Sequence, residues 1–138
     1  MNKAYKMQHF DVRELIPPAM HAIFGGNGIR YIDIRLIANL NAVREWLDAP
    51  MTINNWHAGG GREESGLRLP GMKHYSKFSA HSFGMAFDAV GEGIDRARSA
   101  IIRGDLVLPY PCRIELGVNW LHMDVMNCLD EKVVTFSP

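Results

Sequence analysis

The chain has 138 residues, 47% hydrophobic and 22% charged, which is the composition of one folded domain and excludes a disordered chain. Lys+Arg and Asp+Glu number 15 each, so the formal net charge is zero, and a broadly basic nucleic-acid binder or a polybasic membrane binder is excluded as a starting point. No apolar run approaches the roughly 20 residues of a membrane helix, the N-terminal stretch lacks the apolar core of a signal peptide, and two cysteines, Cys112 and Cys128, make no framework and fit free thiols in a cytosol.

Asp11 and Glu14 have capping-box spacing, so a short helix is predicted from Asp11. Pro17-Pro18 break it or open a second turn over 19–24, and Gly25-Gly26-Asn27-Gly28 reads as a loop. Asp33 is placed to cap a longer helix in which Leu36, Ile37, Leu40, Val43, Trp46 and Leu47 form one apolar face, with Pro50 after its end. Residues 51–54 are a short strand candidate. From 57 to 79 the chain is dense in Gly, Ser, Lys and Arg with little apolar periodicity, and so long a structureless stretch in a small domain is usually functional. A strand over 85–90 follows, then a helix over 94–103 with Ile94, Ala97 and Ile101 inward and Ile102 as a further candidate. Residues 113–115 and 120–126 read as two strands joined by a turn at 116–119. Helices first and hairpin-paired strands later predict an α+β domain, one unit over 1–138, with helices packed on an antiparallel sheet.

Side chains alternate along a strand. Leu121, Met123 and Val125 therefore share a uniformly apolar face, while Trp120, His122 and Asp124 share the other, exposed or lining a site. A second cluster runs from Ser79 to Asp88. On one flat strand His81 and Asp88 would face opposite ways; they converge only if the chain bends, and Gly84 permits a bend. Ala86 would share the face of Asp88 and leave room beside it. Two imidazoles and a carboxylate, from His81, His122 and Asp88, are a donor set used for catalytic zinc with a fourth position open; each residue singly is as compatible with an ordinary hydrogen-bonded role.

Ser79-x-His81-x-x-Gly84-x-Ala86-x-Asp88 followed by Trp120-x-His122-x-Asp124 resembles the zinc D-alanyl-D-alanine peptidases, metallopeptidase family fifteen, which include vancomycin-resistance dipeptidases and many phage endolysins and share a fold with the hedgehog signalling domain. Ser65-Gly66-Leu67-Arg68 is similar to the family's Ser-Gly-x-Arg segment. The stretch from Ile53 through Gly60 and the Lys73-His74-Tyr75-Ser76 approach are similar to a phage-encoded branch, so the resemblance spans roughly residues 10–126. It implies a hedgehog/DD-peptidase-like fold, one zinc ion held by His81, Asp88 and His122, and hydrolysis of a peptidoglycan stem-peptide amide at a D-configured residue. It also implies a phage-encoded protein, acting on the host cell wall after release or from a virion, and expected as a monomer with no nucleic-acid or membrane partner. Arg68 matches the arginine that holds substrate or the developing oxyanion, with Arg62 a weaker competitor.

The chain departs from the family at Asn119, where well-studied members carry the acidic general base; an amide cannot accept that proton. Glu115, at the end of the adjoining strand, is the expected replacement. Asp124 is the alternative base, expected instead to orient an imidazole. Trp120 is either a sheet-edge aromatic or a wall of the substrate cleft. His57, His74 and Tyr75 are loop residues able to bind substrate but placed by no spacing. A non-catalytic zinc-stabilised binding or virion module remains the alternative to an enzyme.

Overall fold

The computed structural model describes residues 9–128 and 133–138; residues 1–8 and 129–132 lie outside them. Three α-helices, α1 (Pro18–Phe24), α2 (Ile34–Leu47) and α3 (Ile94–Arg103), pack against a sheet of four strands: β1 (Ala86–Ala89), β2 (Cys112–Glu115), β3 (Leu121–Asp124) and β4 (Val133–Phe136). The fold is thus α+β. The strand order is β1-β3-β2-β4. β3 pairs antiparallel with both β1 and β2, but β4 pairs parallel with β2, so the sheet is mixed and the expectation of a wholly antiparallel sheet is corrected. The reason is β4, an element outside the expected hairpin, which adds to the free edge of β2 and runs parallel to it.

The local signals explain most of the elements. Asp11 Oδ1 accepts from the Arg13 N–H (2.9 Å) and Glu14 Oε2 from the Asp11 N–H (3.1 Å), but the capped segment is only a 3-10 turn, Val12–Glu14, because prolines follow at once. Pro18 sits in the first turn of α1, where its missing N–H costs nothing. The Gly25 loop is a 3-10 segment, Gly25–Tyr31. Asp33 caps α2 through the Arg35 N–H, and Asp48 ends it in the left-handed region. Residues 51–54 form no strand: Thr52 makes a single bridge with Val90. Ile102 is 42% exposed and not inward, since it lies about 100° around α3 from Ile101.

Each strand sorts its side chains by face. Phe87, Ala89, Cys112, Ile114, Leu121 and Met123 enter the core beneath the helices, where Leu36, Ile37, Leu40, Val43 and Ile101 meet them. Asp88, Arg113, Glu115, His122 and Asp124 project from the opposite face, and the register sets Asp88 beside His122 and Arg113 beside Asp124. Both cysteines are free and buried, and burial pushes the Cys112 thiol up to about 12. Among the described residues no helix is long and apolar enough to cross a membrane.

One glycine controls how the chain enters β1. The 3-10 turn Ala80–Phe83 ends at Gly84, which has φ +69°, and its carbonyl accepts from the Asp33 N–H (2.9 Å) at the start of α2. A Cβ there would collide with the Tyr31 carbonyl oxygen. Gly84→Ala is therefore expected to destabilise the fold by roughly 2–4 kcal/mol, since it adds backbone strain to a clash with main chain. Urea unfolding of the metal-free protein checks this; an unchanged midpoint would remove the constraint.

Candidate metal centre

Three chain segments meet on the polar face of the sheet. His81 comes from the 3-10 turn, which Ser79 caps by accepting the His81 N–H (3.3 Å). Asp88 comes from β1, and His122 from β3 directly opposite it. The bend at Gly84 turns His81 back over the sheet, as the odd spacing to Asp88 requires. One ligand atom from each of the three residues lies within 4.8 Å of the others, and the group could hold a metal ion. His122 Nδ1 is 2.8 Å from Asp88 Oδ1, and His81 Nε2 is 3.3 Å from Asp88 Oδ2. Tetrahedral ligands at about 2.0–2.1 Å from zinc stand roughly 3.4 Å apart, close to the two contacts that Asp88 makes here.

The outer partners fix which nitrogens face the ion. His81 Nδ1 meets the Gly66 carbonyl (2.8 Å), leaving Nε2 inward. His122 Nε2 meets Asp124 Oδ2 (2.8 Å), leaving Nδ1 inward. A metal-binding imidazole ordinarily has its second nitrogen tied in this way. Asp124 is fully buried and is itself gripped by Arg113 at 2.7 and 3.1 Å. Its two oxygens are thus engaged by His122 and Arg113.

The Ser65-Gly66-Leu67-Arg68 segment braces all of this with its backbone. The Ser65 carbonyl accepts from the Asp88 N–H (2.8 Å), the Gly66 carbonyl takes His81, and the Arg68 N–H donates to the His81 carbonyl (3.1 Å). Gly66 has to be glycine, because a Cβ would strike the Leu15 main chain. Arg68 Nη2 reaches Asp88 Oδ2 at 3.2 Å, while Nε and Nη1 donate to the carbonyls of Glu64 (2.6 Å) and His74 (3.3 Å).

Glu115, the last residue of β2, is largely buried, and its Oε2 lies 4.0 Å from His122 Nδ1. It is not drawn to Arg113, whose guanidinium is on Asp124. Asn119 is exposed in the turn and lines no part of the cleft. Trp120 precedes β3 and forms a wall of the cleft, with its carbonyl accepting from the Arg98 guanidinium. Arg62 is occupied at the Ile53 carbonyl (2.9 Å) and Ser65 Oγ (2.8 Å) and props the loop. His74 borders the cleft beyond Arg68, whereas His57 lies against Trp56 and lines neither part of it, and Tyr75 does not line it either. The sequence pattern did not single out Phe78, Arg113 or Phe136. Phe136 packs edge-on to the His122 ring (5.6 Å) and under the Arg113 guanidinium (4.9 Å). The β-branched run Val133-Val134-Thr135 before it was the signal available.

In comparisons with protein-family models, with curated proteins and with solved structures, no match was found.

Burial opposes charge at this site, and the hydrogen bonds outweigh it. Burial raises the Asp88 carboxyl, but bonds from His122 and His81 hold it well below the usual carboxylate range. Asp124 is likewise lowered against burial by His122 and Arg113. Burial lowers His122, yet Asp124 and Asp88 raise it to about 9 from 6.5. The metal-free imidazole is thus a cation between two carboxylates. A raised pKa contributes stability that is complete below 6.5 and is lost as pH climbs through about 9. The metal-free protein is therefore expected to lose thermal stability from pH 6.5 to 9.5. A metal ion must displace the Nδ1 proton, so saturating Zn²⁺ should add more stability at pH 9 than at pH 6.5, and binding at pH 7 should release about one proton. Calorimetric titration in buffers of different ionisation enthalpy, at a stoichiometry of one ion per chain, checks both. Proton-neutral binding would contradict the assignment of Nδ1.

Proposed function

We propose that this chain is a zinc-dependent peptidase of the hedgehog/DD-peptidase fold, acting on an amide of the peptidoglycan stem peptide. The observation that supports it best is the buried His81, Asp88 and His122 group at the bottom of a cleft whose wall carries the Glu115 carboxylate. The ordered resemblance of the flanking motifs to the zinc D-alanyl-D-alanine peptidases, phage endolysins among them, supports the substrate class. With that resemblance goes a phage-encoded monomer working at the host cell wall, with no nucleic-acid or membrane partner.

Two imidazoles and one carboxylate suit zinc with a position open to solvent. When bound, zinc supplies a Lewis acid that polarises a carbonyl and acidifies water. The protein residues do the rest. Asp124 and Gly66 keep both imidazoles in the orientation the donor set needs. Arg68 offers a guanidinium N–H to the carbonyl oxygen as negative charge develops on it. Glu115 accepts a proton from the attacking water and returns it to the departing amide nitrogen. Water oxygen joins the carbonyl carbon, the C–N bond breaks, and a carboxylate and an amine result. Trp120 and Phe136 wall the cleft and limit bulk water around the reacting atoms.

Digestion of purified sacculi by zinc-loaded protein, with mass analysis of the fragments, tests this; the expected product is a new carboxylate and amine in the stem peptide. Glu115→Gln should keep its zinc and lose at least ~10²-fold in turnover. Arg68→Ala should also keep its zinc and lose ~10²–10³-fold, whereas Asn119→Ala should stay close to the parent. The amide at Asn119 favours a second reading, a non-catalytic zinc-stabilised binding or virion module. Sacculi left intact by zinc-loaded protein would select it.

A further inference from the structure

We infer that the face built from α1, the 3-10 segment that follows it and the turn carrying His81 docks on an anionic lipid surface. This goes beyond the peptidase reading and does not depend on it. The family resemblance carries no membrane partner, and this face adds one from its own residues.

The first ground is exposed apolar surface. At the end of α1 Ile23 is 74% exposed, and Phe24, Tyr31 and Phe83 are 37%, 48% and 51% exposed. The Phe24 and Tyr31 rings meet with their centroids 4.9 Å apart. Phe24, Tyr31 and Phe83 line, with Leu67 and Leu69, an open cavity of about 320 Å³ that has no charged residue in its wall. A single exposed apolar side chain needs no explanation, but several gathered around one cavity mark a surface that meets a partner.

The second ground is charge. The formal charge is zero over the whole chain but not over this face. The two segments that build it, residues 15–32 and 66–87, contain no Asp or Glu, yet they carry Arg30, Arg68, Lys73 and Lys77. Arg68 is turned to Asp88. Arg30, Lys73 and Lys77 are exposed and, among the described residues, make no ion pair. Arg30 directly precedes Tyr31. The Ser82 hydroxyl donates to the Ser76 carbonyl, so the chain at Lys77 borders the turn that presents Phe83. The carboxylates nearest along the chain are engaged elsewhere. Glu14 accepts from the Asp11 N–H, Asp33 holds Arg35, Glu64 accepts from the His74 N–H, and Asp88 belongs to the metal-binding group.

Free cations around protruding aromatic and aliphatic side chains complement a surface that is negative outside and apolar beneath. Lys and Arg are attracted to anionic headgroups, and Phe, Tyr and Ile enter the boundary layer below them. Side chains as exposed as Ile23 sink into a bilayer without a matching hollow, which a folded partner would have to supply.

Flotation of the full chain with vesicles of mixed phosphatidylglycerol and phosphatidylcholine, against vesicles of phosphatidylcholine alone, tests this. The expected result is binding to the anionic vesicles at low salt that weakens as ionic strength rises. Ile23→Ser with Phe83→Ser, and separately Arg30→Gln with Lys77→Gln, should each lower the partition coefficient by on the order of 10-fold or more. Circular dichroism and an unchanged thermal midpoint establish that each variant is folded, and the charge pair, wholly on the surface, keeps the test decisive if the apolar pair is not. No binding to anionic vesicles at low salt, equal binding to neutral vesicles, or undiminished binding by the folded charge variant would overturn the inference. A dimer in sedimentation without lipid that the apolar pair dissociates would also overturn it, assigning the face to a second copy of the chain.

Discussion

A carboxylate taken out of water must be answered by donors, and the answer to Asp88 organises this molecule. Its side chain is 14% exposed and meets His122, His81 and Arg68, from three segments far apart in the chain. Desolvation alone would neutralise the acid; the donors reverse that and keep it ionised. None of the three is held by Asp88 alone. His122 is fixed from behind by Asp124, Asp124 by Arg113, and His81 by the Gly66 carbonyl. Orientation of the metal-binding group is thus set by a chain of buried polar contacts that extends across three strands and a loop.

That chain can exist because β3 is buried on both sides. Leu121 and Met123 are fully buried in the hydrophobic core, and His122 and Asp124 are buried on the opposite face, where His81 and Phe136 meet the imidazole and Arg113 meets the carboxylate. The apolar side fixes the register, since a slip of one residue would exchange the two sets. Hydrophobic packing beneath the helices therefore decides where the imidazole points. Phe136 closes the polar face with its ring against His122, and Arg113 is held between that ring and Asp124.

The loop between Trp56 and Ser79 has little regular structure but is not loosely attached. Its Ser65–Arg68 portion runs alongside β1 and the His81 turn, exchanging main-chain hydrogen bonds with both. Side chains that would be free charges in an isolated loop are consumed as props, Arg62 foremost. The cleft that remains is lined by charged side chains of both signs.

Much of the architecture was legible in the residues. The apolar face of α2, the cap at Asp33, the helix over 94–103 and the alternation in β3 follow from local periodicity, which is short-range chemistry. The bend at Gly84 was legible as a condition, because His81 and Asp88 could converge only if the chain turned between them. Three features were not. The parallel placement of β4 depends on which side of β2 the chain returns to, and no local pattern encodes that. The grip of Arg113 on Asp124 depends on cross-strand register. The position of Glu115, within 4.0 Å of His122, could be expected from the turn, but its freedom from Arg113 depends on Asp124 holding that guanidinium instead. The sequence by itself determined the elements and the kinds of donor available, since those depend on neighbours along the chain. The tertiary structure alone decided which charges are paired and which remain for a ligand, because pairing is a competition among groups that meet only after folding.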